Sequence, residues 1–184
     1  VSGASSFGPA TSPVRFVEPF EGEVPPLDRA VVVADRRGCD RAPIDPTTPE
    51  GRQTLRAYVW PDLVHRLDRL DAAIAVASEV PAPVDEADAP SWLADQLGAP
   101  ADGLVTVVVH SIVLQYLSVD GRAQLRRALA EAGARARPDA PLAWLRMEPG
   151  RERADVRLTT WPGGDERLVA TSAYHGPPVR WSLG

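Results

Sequence analysis

Leu104-Val105-Thr106-Val107-Val108-Val109-His110-Ser111 decides the fold of this chain. The turn Pro100–Gly103 precedes it, and the β-branched apolar run is too short for a buried helix, so Leu104–Val109 reads as a buried strand. It feeds His110 and Ser111 into a helical turn carrying Ile112, Leu114 and Tyr116. Downstream, Asp120 caps a helix whose Leu125, Leu129 and Ala132 share one face, and Leu142–Met147 reads as the next strand. Val156–Trp161, the turn Pro162-Gly163-Gly164-Asp165, and Arg167–Tyr174 form a hairpin signal, with a last strand at Val179–Ser182.

Upstream the same alternation continues. Arg29–Ala34 is a second β-branched run and reads as a buried strand that enters the loop Asp35–Asp45. Thr47 or Thr48 caps a helix with Pro49 in its first turn and Glu50 placed for a capping box. Pro61 stops that helix near Val59 and opens another, with Leu63, Leu67, Leu70 and Ile74 as its buried stripe. Val80–Val84 holds a short strand, and Asp88 starts a helix that ends at Gly98. Val14–Val17 reads as an edge strand ended by the proline-rich stretch to Pro26. Strands alternating with helices imply an α/β fold, a Rossmann-like three-layer sandwich whose mostly parallel sheet closes in a C-terminal antiparallel hairpin.

Composition narrows the chemistry. The 184 residues carry 20 cationic side chains, every one Arg, against 25 acids, for a net charge of −5. Without Lys, neither Schiff-base chemistry nor a phosphate-binding P-loop can be built. The Arg, Ala and Pro excess fits GC-rich coding and carries no functional weight. Mild acidity argues against a nucleic-acid surface, and no apolar run approaches the ~20 residues that span a bilayer. The single Cys39 excludes an internal disulfide and points to a reducing, cytoplasmic setting. Residues 1–13 read as a flexible leader and 14–184 as a single α/β domain. A chain opening at Val1 on a Ser/Gly/Ala/Pro-rich stretch reads as a piece of a longer protein.

In parallel sheets ligands bind beyond the carboxyl ends of the strands, which directs attention to three residues. Asp40 follows the first strong strand, where an acid accepts hydrogen bonds from ribose hydroxyls; the competing reading is an Asx-turn or an Arg pair. Asp45, before Pro46, reads as structural. Asp88 follows the third candidate strand, where a carboxylate meets an adenine amino group; it equally suits a helix N-cap. His110 ends the most buried strand and is placed for a general base, or for a hydrogen-bonded structural role. Ser111 lacks the glycine-flanked elbow of a hydrolase nucleophile. His65, His110 and His175 do not form a metal motif, and the five Trp read as core or rim anchors. No Gly-x-Gly-x-x-Gly turn is present, so a nucleotide-binding sheet here would lack its first strand.

The segments Arg36–Asp45, Tyr58–Asp62, Asp88–Leu93, Val107–Leu117 and Ala170–Trp181 resemble a bacterial family of unknown function numbered 2332, in order and spacing, from about Phe7 to Trp181. That resemblance implies members longer at the amino end and carries no assigned catalytic residues. The chain is also similar, more distantly, to class I S-adenosylmethionine-dependent methyltransferases. Asp40, Asp88 and His110 fall where that family places an acid after its second strand, an Asp after its third and the entry to a helical turn after its fourth. The resemblance implies S-adenosylmethionine as cofactor of the full-length protein, with Asp40 at the ribose, Asp88 at the adenine and His110 facing a small-molecule methyl acceptor. It implies no tight binding by this piece alone. The alternative is a non-catalytic Rossmann-like interaction module that has lost its cofactor site. Oligomeric state and substrate stay open.

Overall fold

The computed structural model describes residues 7–182, which form two compact units. One takes in residues 7–17 and Pro26–Asp88; the other takes in Glu18–Pro25 and residues 89–182.

The first unit holds β1 (Gly38–Asp40), α1 (Pro49–Ala57), α2 (Val64–Glu79) and β2 (Val84–Glu86). Thr48 caps α1: its hydroxyl accepts from the Gly51 amide at 3.0 Å, and Pro49 occupies the first turn. The helix ends at Ala57, before the Trp60-Pro61 break, and α2 begins at Val64, with Ile74 its buried residue. β1 and β2 pair in parallel, with Gly38 opposite Val84 and Asp40 opposite Glu86.

The expected strand at Arg29–Ala34 does not form. Val31, Val32 and Val33 are 66%, 90% and 54% exposed and outside any ladder. β propensity expresses packing against neighbours, and this run has no neighbouring strand to pair with. The ladder forms three residues after the run, inside the expected loop. Val14–Val17 is likewise not a strand.

The second unit holds α3 (Ala89–Gln96), β3 (Thr106–Ser111), a 3-10 turn (Leu114–Tyr116), α4 (Val119–Arg135), β4 (Leu142–Pro149), β5 (Ala154–Trp161), β6 (Asp165–Ala173) and β7 (Gly176–Trp181). The five strands lie in sequence order. β3 and β4 are parallel, and the three later ladders are antiparallel. The expectation of a mostly parallel sheet is therefore corrected: the fold is a mixed α/β arrangement. The reason is connection length. Only β3 to β4 has a helical crossover, whereas β4 to β7 are joined by short turns that permit antiparallel neighbours alone. The expected hairpin forms as β5 and β6. Phe20 makes an isolated parallel bridge to Val179, so the proline-rich stretch itself runs along the β7 edge.

Strand alternation divides this sheet into two faces. Leu142, Trp144 and half-buried Val108 pack against Leu93 and Leu97 of the α3 region and Leu125, Leu129 and Ala132 of α4. The other face carries no helix of this unit, and Val107 and Val109 on it are exposed. The three-layer sandwich is thus not formed within this unit. Ser118, rather than Asp120, caps α4 by accepting from the Gly121 amide at 3.0 Å.

Two substitutions test the packing. Leu129 is 1% exposed, so Leu129→Ala is expected to cost about 2–5 kcal/mol in urea unfolding. Gly133→Ala would gain stability in an open helix. Here an added Cβ lies 2.5 Å from the Trp161 indole, so a loss of about 1–3 kcal/mol is expected instead.

Candidate functional site

The polar end of the sheet in the second unit follows from strand period and register. Trp144, Arg146 and Glu148 alternate onto one face of β4. The parallel ladder sets His110 opposite Arg146, and the antiparallel ladder sets Arg157 opposite Arg146 and Asp155 opposite Glu148. The face that begins as apolar core at Leu142 therefore ends as a charged floor at the carboxyl ends of β3 and β4.

His110 is at the centre of that floor. Its Nε2 accepts from the Trp144 indole N–H at 3.0 Å, which assigns the ring proton of the neutral imidazole to Nδ1. Nδ1 lies 3.0 Å from Glu148 Oε1, but off the ring N–H axis, so this contact is electrostatic rather than an aligned hydrogen bond. Glu148 Oε1 also accepts from the Val113 and Leu114 amides, both at 3.1 Å. It thereby holds the start of the 3-10 turn. Arg122 holds the other end, with Nη1 donating to the Leu114 and Leu117 carbonyls at 3.2 and 2.9 Å. Burial pushes the His110 pKa below its ordinary value; nearby Arg146 acts in the same direction, and Glu148 opposes them.

The remaining charges are paired. Arg146 stacks over Trp144, its guanidinium carbon 4.1 Å from the ring centroid, and Nη2 donates to Glu166 Oε2 at 2.6 Å. Arg157 reaches Glu166 at 3.2 Å and Asp155 at 3.0 Å. The hydrogen bond from Arg146 is the main cause that holds the Glu166 carboxyl below its usual range.

In the first unit Asp40 is the last residue of β1 and Asp88 lies just beyond β2, at the carboxyl ends of adjacent parallel strands. The Ala87 amide donates to the Asp40 carbonyl at 2.9 Å, tying the two strand ends together. Asp40 is exposed, and its Oδ1 accepts from the Ala42 amide at 2.8 Å, the Asx-turn that its loop composition suggests. Asp88 is also exposed. Burial is the main cause that raises the Cys39 thiol pKa, followed by the charges of Asp40, Asp85 and Asp88. Arg37 makes a two-point contact with Asp85, at 2.9 and 3.2 Å. Asp45 is structural: Oδ1 accepts from the Thr47 amide and hydroxyl at 2.8 and 2.7 Å. Asp40 and Asp88 thus share one unit, and His110 belongs to the other.

A shallow cleft of about 450 Å³ lies where α1 meets α2, with exposed Tyr58 and Trp60 on its walls. Sequence reading missed this cleft, and it also missed Trp144, Arg146 and Glu148 as partners of His110. The alternation in Leu142–Pro149 was the available signal for those three; the β3–β4 register that joins them to His110 had none. Among the described residues no group of three or more His, Cys, Asp or Glu could hold a metal ion, and no helix is long and apolar enough to cross a membrane.

The depressed His110 value has a definite consequence for stability. Below the unfolded pKa of about 6.5 the unfolded chain takes up a proton that the folded chain resists, so stability is lost as pH falls toward the folded value. Urea midpoints measured from neutral pH downward are expected to decline over this window. In His110→Gln that part of the decline is expected to vanish, leaving only the carboxylate limb at lower pH.

No curated protein and no solved structure matches the chain. A family described as an uncharacterized protein conserved in bacteria, the domain of unknown function numbered 2332, matches residues 1–181, and the chain belongs to that family.

Proposed function

We propose that this chain is the carboxyl-terminal part of an S-adenosylmethionine-binding, methyltransferase-like domain. The observation that carries the reading is the placement of Asp40, the last residue of β1, and Asp88, just beyond β2, at the carboxyl ends of two adjacent parallel strands, the end at which α/β folds bind nucleosides. The acids suit the adenosyl half of the cofactor. The Asp40 carboxylate is exposed and uses one oxygen in its own turn, and a carboxylate has further acceptor capacity for a ribose diol. Asp88 would stand at the adenine edge. S-adenosylmethionine, when bound, supplies an electrophilic methyl group; this chain's residues would bind and orient the adenosyl moiety.

His110 takes a different part from the one its strand-end position suggests. With Nε2 engaged by Trp144 and Nδ1 beside Glu148, it positions its loop rather than serving as the base for a methyl acceptor. This observation favours a second reading, a non-catalytic interaction module that keeps the sheet without the chemistry.

Calorimetric titration of S-adenosylmethionine into the full-length protein separates the two. Saturable heat is expected, weakened about tenfold or more by Asp40→Ala, since hydrogen bonds to a charged group contribute about 1.5–3 kcal/mol each. Absence of both heat and thermal shift would overturn the methyltransferase-like reading and leave the interaction module.

A further inference from the structure

We propose that His110 is a proton-operated latch on the loop between β3 and the 3-10 turn, closed when the imidazole is neutral and released when it is protonated. In the closed state the ring is held at both nitrogens, by a hydrogen bond on Nε2 and an electrostatic contact on Nδ1. Trp144 donates to Nε2, Glu148 stands at Nδ1, and the same Glu148 oxygen holds the Val113 and Leu114 amides. A protonated imidazole carries N–H on both nitrogens and accepts nothing. Its Nε2–H would then face the indole N–H, donor against donor, within the buried packing around Trp144. Turning the ring to relieve that conflict moves Nδ1–H as well, and Glu148, the carboxylate facing His110, is drawn toward the new charge and away from the two amides.

A second observation places strain in this loop. Ile112, the residue between the strand and the pinned amides, has φ 54°. A β-branched residue in the left-handed region is strained, and it persists only where its surroundings hold it. Here the holding contacts are its own amide on the Met147 carbonyl at 2.8 Å and the Glu148 clamp one residue on. Releasing the clamp lets Ile112 relax, so the open loop has a conformation of its own to adopt.

The charged groups around His110 are set to keep the latch closed near neutral pH. From β4, Arg146 opposes a second positive charge and Glu148 favours one. From β5, Arg157 and Asp155 lie opposite Arg146 and Glu148 and are tied to each other, and Arg157 also pairs with Glu166 of β6. Arg122 of α4 is committed to the far end of the 3-10 turn. What the latch controls is the loop at the carboxyl end of β3, beside the one parallel ladder of this sheet.

Hydrogen exchange at the Val113 and Leu114 amides tests the proposal, followed as protection factors from about pH 7.5 downward in the intact chain. Protection is expected to fall, by up to about tenfold per pH unit, as pH drops from the ordinary imidazole value of about 6.5 toward the depressed folded His110 value, while α4 amides keep theirs. His110→Gln is expected to make the protection independent of pH over that range. Trp144→Phe removes the opposing donor and is expected to move the transition to higher pH. Flat protection in the wild type down to the pH at which α4 itself opens overturns the latch. So does the same pH dependence in His110→Gln. If that variant fails to fold, the Trp144→Phe midpoint decides: an upward move supports the latch, and an unmoved one overturns it.

Discussion

Trp144 is the contact on which the second unit depends. The residue is 6% exposed in the cluster formed by α3, α4 and β4, its indole N–H goes to His110, and its face carries the Arg146 guanidinium. A buried Trp needs a partner for its one donor, and the partner here is a histidine of the adjacent parallel strand. The apolar core and the charged floor are therefore joined through one side chain. Core packing orients the indole, the indole selects the His110 tautomer, and that tautomer leaves the protonated Nδ1 beside the carboxylate holding the loop, 3.0 Å from Oε1.

The two faces of this sheet are held to different standards. The helix-covered face resolves its charges in pairs, so that each carboxylate at its polar end has a cation or backbone amides. The opposite face exposes Val107 and Val109, although parallel strands are ordinarily covered on both sides. β3 is also the last strand of its sheet, with no ladder on its outer edge among the described residues. The Leu104–Val109 run was written for more burial than it receives here, and the same is true of Val31–Val33 in the first unit.

That mismatch explains what was legible in the sequence. Helices, turns and the α1 cap were readable because their signals are local, whereas the α4 cap, expected at Asp120, falls at Ser118. Thr48 and Pro49 start α1, the Pro162–Asp165 turn joins β5 to β6, and Leu125, Leu129 and Ala132 mark the buried stripe of α4. The Arg29–Ala34 strand failed because strand formation needs a partner, and partners are not encoded in the run itself. The parallel sheet failed because topology beyond β4 is decided by short connections rather than by propensity. For the site, Asp40 was placed by counting from a strand at Arg29–Ala34 that does not form, and it is instead the last residue of β1; Asp88 was counted from a strand at Val80–Val84 that forms at Val84–Glu86. The neighbours of His110 were not found, because register across a parallel ladder is a tertiary property set by packing.

The arginine-only cation set first looked like coding bias and nothing more. In the folded chain the guanidinium plane is used. Arg146 lies over the Trp144 ring while bonding Glu166, and Arg37 makes a two-point contact with Asp85. An ammonium group is a compact, strongly hydrated point charge and could not stack and donate at an angle at once. The distinction matters most at Arg146, whose side chain is 12% exposed. There a weakly hydrated planar cation can lie on an aromatic face beside a neutral histidine, and that cation is one reason the histidine stays neutral. Whatever produced the bias, the floor of this sheet is now built on the geometry of arginine.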